Sequence, residues 1–73
     1  RGETLAAGES KTVHGSEGMM LIYCGAGEVK VVAGEESIAL KADEAVRLDG
    51  FAGEVKLCSK SGTKLMLAKA KEI

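Results

Sequence analysis

Glycine punctuates this chain at short intervals, and no proline accompanies it. Ten glycines divide the 73 residues into apolar segments of a few residues each. Within residues 28–32 and 54–57, apolar and charged side chains alternate. Alternation with a period of two is typical of a half-buried β-strand. Short strands separated by glycine turns at intervals of about ten residues predict an all-β sandwich or barrel.

The segments predict about seven short antiparallel strands. Residues 19–24 are continuously apolar, as expected of a strand that is covered on both sides. Residues 25–27 (Gly-Ala-Gly) are expected to join this strand to the next as a tight hairpin, because glycine readily adopts positive φ. Further hairpin turns are expected at residues 34–36 and 61–62. A last strand is expected over residues 63–68.

Length and composition indicate one domain over residues 1–73. Hydrophobic residues make up 45% of the chain, which is enough for a compact core and too many for a disordered segment. Tyr23 and Phe51 are the only aromatic residues, so the core is expected to be aliphatic. A domain of this size is marginally stable alone. We therefore expect a homo-oligomer, or a companion domain or subunit.

Charge and hydropathy argue against two classes of partner. The net charge is −1 and no basic stripe occurs, so nucleic acid is not expected as a partner. No apolar run approaches the roughly 20 residues that span a bilayer, and the N-terminus does not resemble a signal peptide. Cys24 and Cys58 are interpreted as small buried hydrophobes, which favours a cytoplasmic setting. Because the chain begins at Arg1, a processed product or a fragment of a longer chain stays open.

The spacing of residues 8–27 resembles the first metal-binding motif of the cupin superfamily. In that motif a Gly is followed after five residues by a His, then by a second His, a Glu and a final Gly. Here Gly8, His14 and Gly27 keep their places, whereas Ser16 and Met20 stand where the second His and the Glu belong. The resemblance therefore implies the cupin fold without the usual metal site.

Residues 38–48 resemble the second cupin motif, in which a strand meets a Pro-x-Gly-Asp-like turn. Lys41 and Asp43 replace its Pro and Gly, and Val46 and Gly50 fall where its His and Asn would be. The resemblance implies a small jelly-roll barrel or sandwich. It is similar in character to metal-free cupin halves, namely the C-terminal domains of pirin-like proteins and of type I mannose-6-phosphate isomerases, and the HutD/Ves group. Such halves support assembly or shape a pocket, with no cofactor of their own.

His14 is the one metal-ligand position of the motif that survives. A cupin iron, manganese or zinc site needs about three or four imidazole and carboxylate ligands. Glu17 is near in sequence and adds at most one oxygen, so no metal site is expected. Cys24 and His14 are the only conceivable nucleophile and base, and no fixed positive charge near Cys24 favours its thiolate. No catalytic residue is therefore assigned.

The leading hypothesis is a non-catalytic structural or oligomerisation module, more consistent with a non-enzyme than with an enzyme. Phe51, in the glycine-flanked turn over residues 49–53, is a candidate contact with a partner. Its alternative role is to fold back and cap the end of the barrel.

Two other hypotheses stay open. A small-ligand-binding or isomerase-like cupin would use the barrel interior, with His14, Glu17 and Tyr23 as its polar groups. The strand alternation, however, places Met20, Ile22 and Cys24 on the inward face and Tyr23 on the other. A biotinyl-type carrier domain would need an exposed lysine on a hairpin, for which residues 41–43 are the nearest segment.

Overall fold

The computed structural model describes residues 2–15 and 18–70. Within those ranges the chain forms seven strands and no helix, and every strand pairing is antiparallel. The all-β prediction is therefore confirmed. The strands are β1 (Gly2–Leu5), β2 (Ser10–His14), β3 (Met19–Ala33), β4 (Glu36–Lys41), β5 (Ala45–Asp49), β6 (Glu54–Cys58) and β7 (Thr63–Ala70).

The strands form a curled half-barrel of two sheets that share β3. The first half of β3 lies between β7 and β5, and β1 lies outside β7. We call this group sheet I. The second half of β3 lies between β6 and β4, and β2 lies outside β6. We call this group sheet II.

The hairpin predicted at residues 25–27 is wrong, because β3 runs through this segment without reversing. Cys24 pairs with Leu65 and Ala26 pairs with Lys64, so Gly25 is the extra residue of a β-bulge. Gly27 has a φ of 76°. Bulges and glycines bend strands at sheet corners as well as closing hairpins. The bend at this point carries β3 from sheet I into sheet II.

The other two predicted turns have different outcomes. The β3–β4 hairpin turns at Gly34, whose φ is 63°, as expected. The segment before β7 turns at Gly62, but it does not close a hairpin, since β6 and β7 pair with different halves of β3. It carries the chain from sheet II back to sheet I. The last strand extends to Ala70, two residues beyond the predicted end.

The core lies between the inner faces of the two sheets and is aliphatic. Met20, Ile22 and Cys24 are fully buried, whereas Tyr23 is only half-buried, which confirms the predicted alternation of β3. Packing of apolar side chains from both sheets removes this surface from water and drives their association. The remaining buried hydrophobic residues are Leu5, Val29, Val31, Leu40, Val55, Leu57 and Leu65.

The carboxylate of Glu28 holds the loop between β6 and β7. Its Oε1 atom accepts hydrogen bonds from the backbone N–H groups of Lys60 at 2.8 Å and Ser61 at 3.1 Å, and from the Ser61 hydroxyl at 3.2 Å. The Ser59 hydroxyl donates to the Glu28 carbonyl. The backbone N–H groups of Ser61 and Lys60 are the main cause that lowers the pKa of Glu28 below its ordinary value of 4.5.

We expect Gly27→Ala to destabilise the domain far more than Gly8→Ala. Both glycines have positive φ, at 76° and 79°. A Cβ at Gly27 would lie 2.0 Å from the Gly62 carbonyl oxygen, whereas a Cβ at Gly8 would meet nothing within 4 Å. Left-handed strain costs either variant about 1–2 kcal/mol, and the clash adds roughly 1–3 kcal/mol or more at position 27 alone. Urea denaturation measures both losses, and equal losses would contradict the close approach.

We expect the stabilising effect of Glu28 to depend on pH. A carboxylate whose pKa is lowered by folding contributes stability above its unfolded pKa of about 4.5, and loses it as the pH falls through the lower folded value. The difference in unfolding free energy between wild type and Glu28→Gln should therefore be largest above pH 4.5 and shrink below it. Denaturation at a series of pH values measures this. Glu54→Gln, at an exposed position of β6, is the matched control. The same pH dependence in that variant would contradict a stabilising role for the hydrogen bonds between Glu28 and the β6–β7 loop.

Candidate functional site

His14 ends β2 on the outer side of sheet II. Along β2 the side chains of Lys11 and Val13 are half-buried, whereas those of Thr12 and His14 are exposed. His14 pairs with Glu54 on the neighbouring strand β6. Because successive side chains of a strand point to opposite faces, His14 is directed away from the core.

Tyr23 lies in sheet I, on the side of β3 that faces away from the core. Its hydroxyl donates a hydrogen bond of 2.6 Å to Oδ1 of Asp43, in the turn before β5. This hydrogen bond and the negative charge of Asp43 raise the pKa of Tyr23 above its ordinary value of 10.0. Asp43 has a φ of 71°, a conformation that Asp tolerates better than most residues. Asp43 stands where the cupin motif has glycine, and both residues tolerate the positive φ that this turn requires.

The three predicted ligand-binding residues are therefore not brought together by the described chain. His14 and Tyr23 lie in different sheets, and Glu17 lies outside the described residues. Their joint role stays a prediction.

Phe51 is half-buried and packs against the core at one end of the half-barrel. A Cβ added at Gly53 would lie 3.1 Å from its ring, and one added at Gly34 would lie 3.5 Å from it. The ring therefore covers the backbone of two glycines, one in each neighbouring turn. This is the capping arrangement considered from the sequence, and a contact with a partner stays a prediction.

A cleft of about 330 Å³ opens between the sheets. Glu3 on β1 and Lys11 on β2 form an ion pair of 2.7 Å that joins sheet I to sheet II beside it. Its lining therefore combines charged groups with an apolar surface. The lining residues are Glu3, Lys11, Val13, Met20, Leu67 and Lys69.

The positions of the cupin metal ligands do not fit a metal ion in this chain. His14 points outward, the thioether of Met20 is fully buried in the core, and Val46 packs against that core. Among residues 2–15 and 18–70, no group of three or more His, Cys, Asp or Glu side chains could hold a metal. The residues present thus lack the imidazole and carboxylate donors that such a site requires.

Both cysteines are free thiols in separate environments. Cys24 is buried in sheet I, with its Sγ atom 3.4 Å from Oγ1 of Thr63. Cys58 is half-buried on β6, next to Ser10 of β2. His14 lies in the other sheet from Cys24, so the structure does not form a Cys–His pair.

The fold is that of the cupins. A cupin superfamily protein from Desulfitobacterium hafniense DCB-2 superposes with a TM-score of 0.75 and 18% identity, over 88% of this chain and 58% of that protein. A cupin-2 domain containing protein from Shewanella frigidimarina NCIMB 400 gives a TM-score of 0.74 and 14% identity, over 96% and 67% of the two chains. This chain thus spans about three-fifths to two-thirds of the length of these structures. The resemblance found in the sequence is confirmed for the fold, and the likeness to particular metal-free halves stays a prediction.

No protein-family model and no curated protein matches the chain. None of the segments in residues 2–15 and 18–70 forms a helix that could cross a membrane.

Sequence reasoning missed the charged residues of the cleft. Glu3, Lys11 and Lys69 lie on β1, β2 and β7, and the first two of these strands were not assigned from the sequence. Both strands carry a usable signal: Val13 follows Lys11 at the spacing of one strand face, and Leu5 follows Glu3 in the same way. The signal is weak because a charged residue, Glu3 or Lys11, occupies part of the inward face of each strand.

We expect Tyr23 to titrate above pH 10.0, because its neutral hydroxyl is the form that donates to Asp43. Tyr23 is the only tyrosine of the chain, so the near-ultraviolet absorbance of tyrosinate reports this residue alone. Asp43→Asn keeps a side chain that tolerates the left-handed turn and removes its charge. It should move the midpoint back toward 10.0, and an unchanged midpoint would contradict the assigned cause.

Proposed function

We propose that this cupin-fold domain is a non-catalytic module that self-associates or supports a larger assembly. One observation carries the proposal: the interior of the half-barrel holds packed apolar side chains where a cupin site would need ligands. Met20 and Ile22 are fully buried there, and Val46 and Leu48 pack against them from β5. Thioether and aliphatic side chains offer neither general acid–base chemistry nor a hard-metal ligand.

The size of the domain supports association. A chain of 73 residues buries roughly 60% of the surface that its unfolded state exposes, which leaves little excess stability. Binding to a partner that recognises only the folded state adds to that stability. A cytoplasmic setting, in which Cys24 and Cys58 stay reduced, is part of this proposal.

The cleft between the sheets favours a second candidate, the binding of a small ligand. Its volume of about 330 Å³ falls in the range of ligand pockets. Lys11 and Lys69 outnumber the single carboxylate of Glu3, and Val13 and Leu67 supply apolar surface. These groups suit a small carboxylic acid with an apolar body.

Native mass spectrometry of the purified chain distinguishes the two candidates in one measurement. We expect an oligomer whose mass is a multiple of the 7.5 kDa chain, with no metal or other adduct. A monomer that carries one metal ion would contradict the module, and His14 would then be the first residue to substitute. A monomer that carries one small acid would favour the cleft, in which case Lys11→Ala should remove the adduct and Lys60→Ala, in the β6–β7 loop, should retain it.

A further inference from the structure

The outer face of sheet I, which is turned away from the core, is apolar. Strand pairing aligns its side chains in rows: Tyr23 lies between Ala45 and Met66, and Leu21 lies between Arg47 and Ala68. Met66 is 53% exposed, although it is a large apolar residue in the middle of a strand. We define the apolar face as Met19, Leu21, Tyr23, Ala45, Met66 and Ala68.

The outer face of sheet II has the opposite character. One of its rows runs Thr12, Lys56, Val32 and Ser37, and other rows place Lys30 beside Ala39 and His14 beside Glu54. A polar outer face is the usual state of a sheet that is solvated on one side. The outer face of sheet I therefore departs from this usual pattern, whereas the outer face of sheet II follows it. Soluble monomers rarely expose contiguous apolar patches above a few hundred square ångströms.

We propose that the apolar face is a self-association surface and that its occupant is a second copy of this chain. This inference rests on the proposed function and specifies where the module associates. The charges that border the face favour a like partner, because they include both signs. Arg47 and Asp49 form an ion pair of 3.0 Å on the β5 side, and Lys64 lies on β7 toward the opposite end.

A two-fold axis makes these charges complementary. Asp49 pairs with Met19 at one end of the face, and Lys64 lies at the other end, on the far side of β3. Asp49 and Lys64 thus mark one diagonal of the face. A two-fold axis that lies in the plane of the contact, along the other diagonal, brings Lys64 of one copy toward Asp49 of the second copy. In such an isologous contact the same surface is used by both copies, and the strands of the two sheets cross at a large angle. A strongly acidic or strongly basic partner would be attracted by only one of the two signs of charge and repelled by the other.

The dimensions of the face suit a weak dimer. The whole outer side of sheet I sets the upper limit: four strands about 4.8 Å apart, with about six residues each at roughly 3.3 Å per residue, give a footprint of roughly 400 Å². The apolar face lies on three of these strands, β5, β3 and β7. Two copies would bury about 800 Å², to which protruding side chains add further area. The total is near the ~1,000 Å² lower limit of a specific interface. We therefore expect dimerisation to depend on protein concentration.

Sedimentation equilibrium of the whole chain over a range of concentrations tests the proposal. Wild type should dimerise, and Met66→Lys should weaken the dimer at least tenfold, because it places a charge within the apolar face. Ala39→Lys is the matched control, since Ala39 is exposed on the outer face of sheet II, where it pairs with Lys30. Ala68→Lys, also at an exposed position of the face, should weaken the dimer as Met66→Lys does. Far-ultraviolet circular dichroism verifies that each variant is folded.

The outcomes separate this inference from the proposed function. A dimer that survives both Met66→Lys and Ala68→Lys overturns the face as the interface and leaves self-association standing. A dimer weakened equally by Ala39→Lys also overturns it, because the effect would not be specific to sheet I. A wild-type chain that stays monomeric at the highest concentration overturns the second copy as occupant, and self-association of the isolated chain with it.

Discussion

The bend in β3 is the constraint on which the rest of the fold depends. Four strands pair directly with β3, and β1 and β2 are attached to it through β7 and β6. The bend requires the backbone of Gly27 to approach the carbonyl of Gly62, a contact that leaves no room for a Cβ. If this corner were straight, the two halves of β3 could not enter two sheets, and their apolar faces could not enclose a common core.

Side-chain hydrogen bonds hold two of the connections between strands. Glu28 orders the loop that returns the chain to sheet I, and Tyr23 fixes the turn before β5 through Asp43. In both places a side-chain oxygen joins a strand to a connection that is distant in sequence. The strands themselves depend on apolar packing. This division lets the core consist of aliphatic residues without leaving the polar backbone of the loops unsatisfied.

The sequence predicted the all-β class, the cupin fold and the inward face of β3, because alternation and motif spacing are local signals. It failed at Gly25 and Gly27, since a glycine-rich hairpin and a glycine-rich bend have the same local composition. Only the pairing partners of the flanking residues distinguish them, and those partners, Thr63 and Leu65, lie about 40 residues further along the chain. The candidate site was predicted less well. His14 keeps the motif spacing, but strand alternation turns it outward. Glu3 and Lys11 of the cleft lie on two strands that were not assigned, because charged residues occupy part of their inward face.

The shared strand also has a consequence for how the domain loses its structure. Because β3 contributes its two halves to the two sheets, unfolding of either sheet frees one end of the strand that is central to the other and removes the apolar surface against which the other packs. The domain therefore has no smaller unit that could persist alone, and its unfolding should be a single cooperative transition in which fluctuations of one sheet are transmitted to the other. A partner bound to the outer face of sheet I would in this way also protect sheet II from unfolding, although it does not contact sheet II.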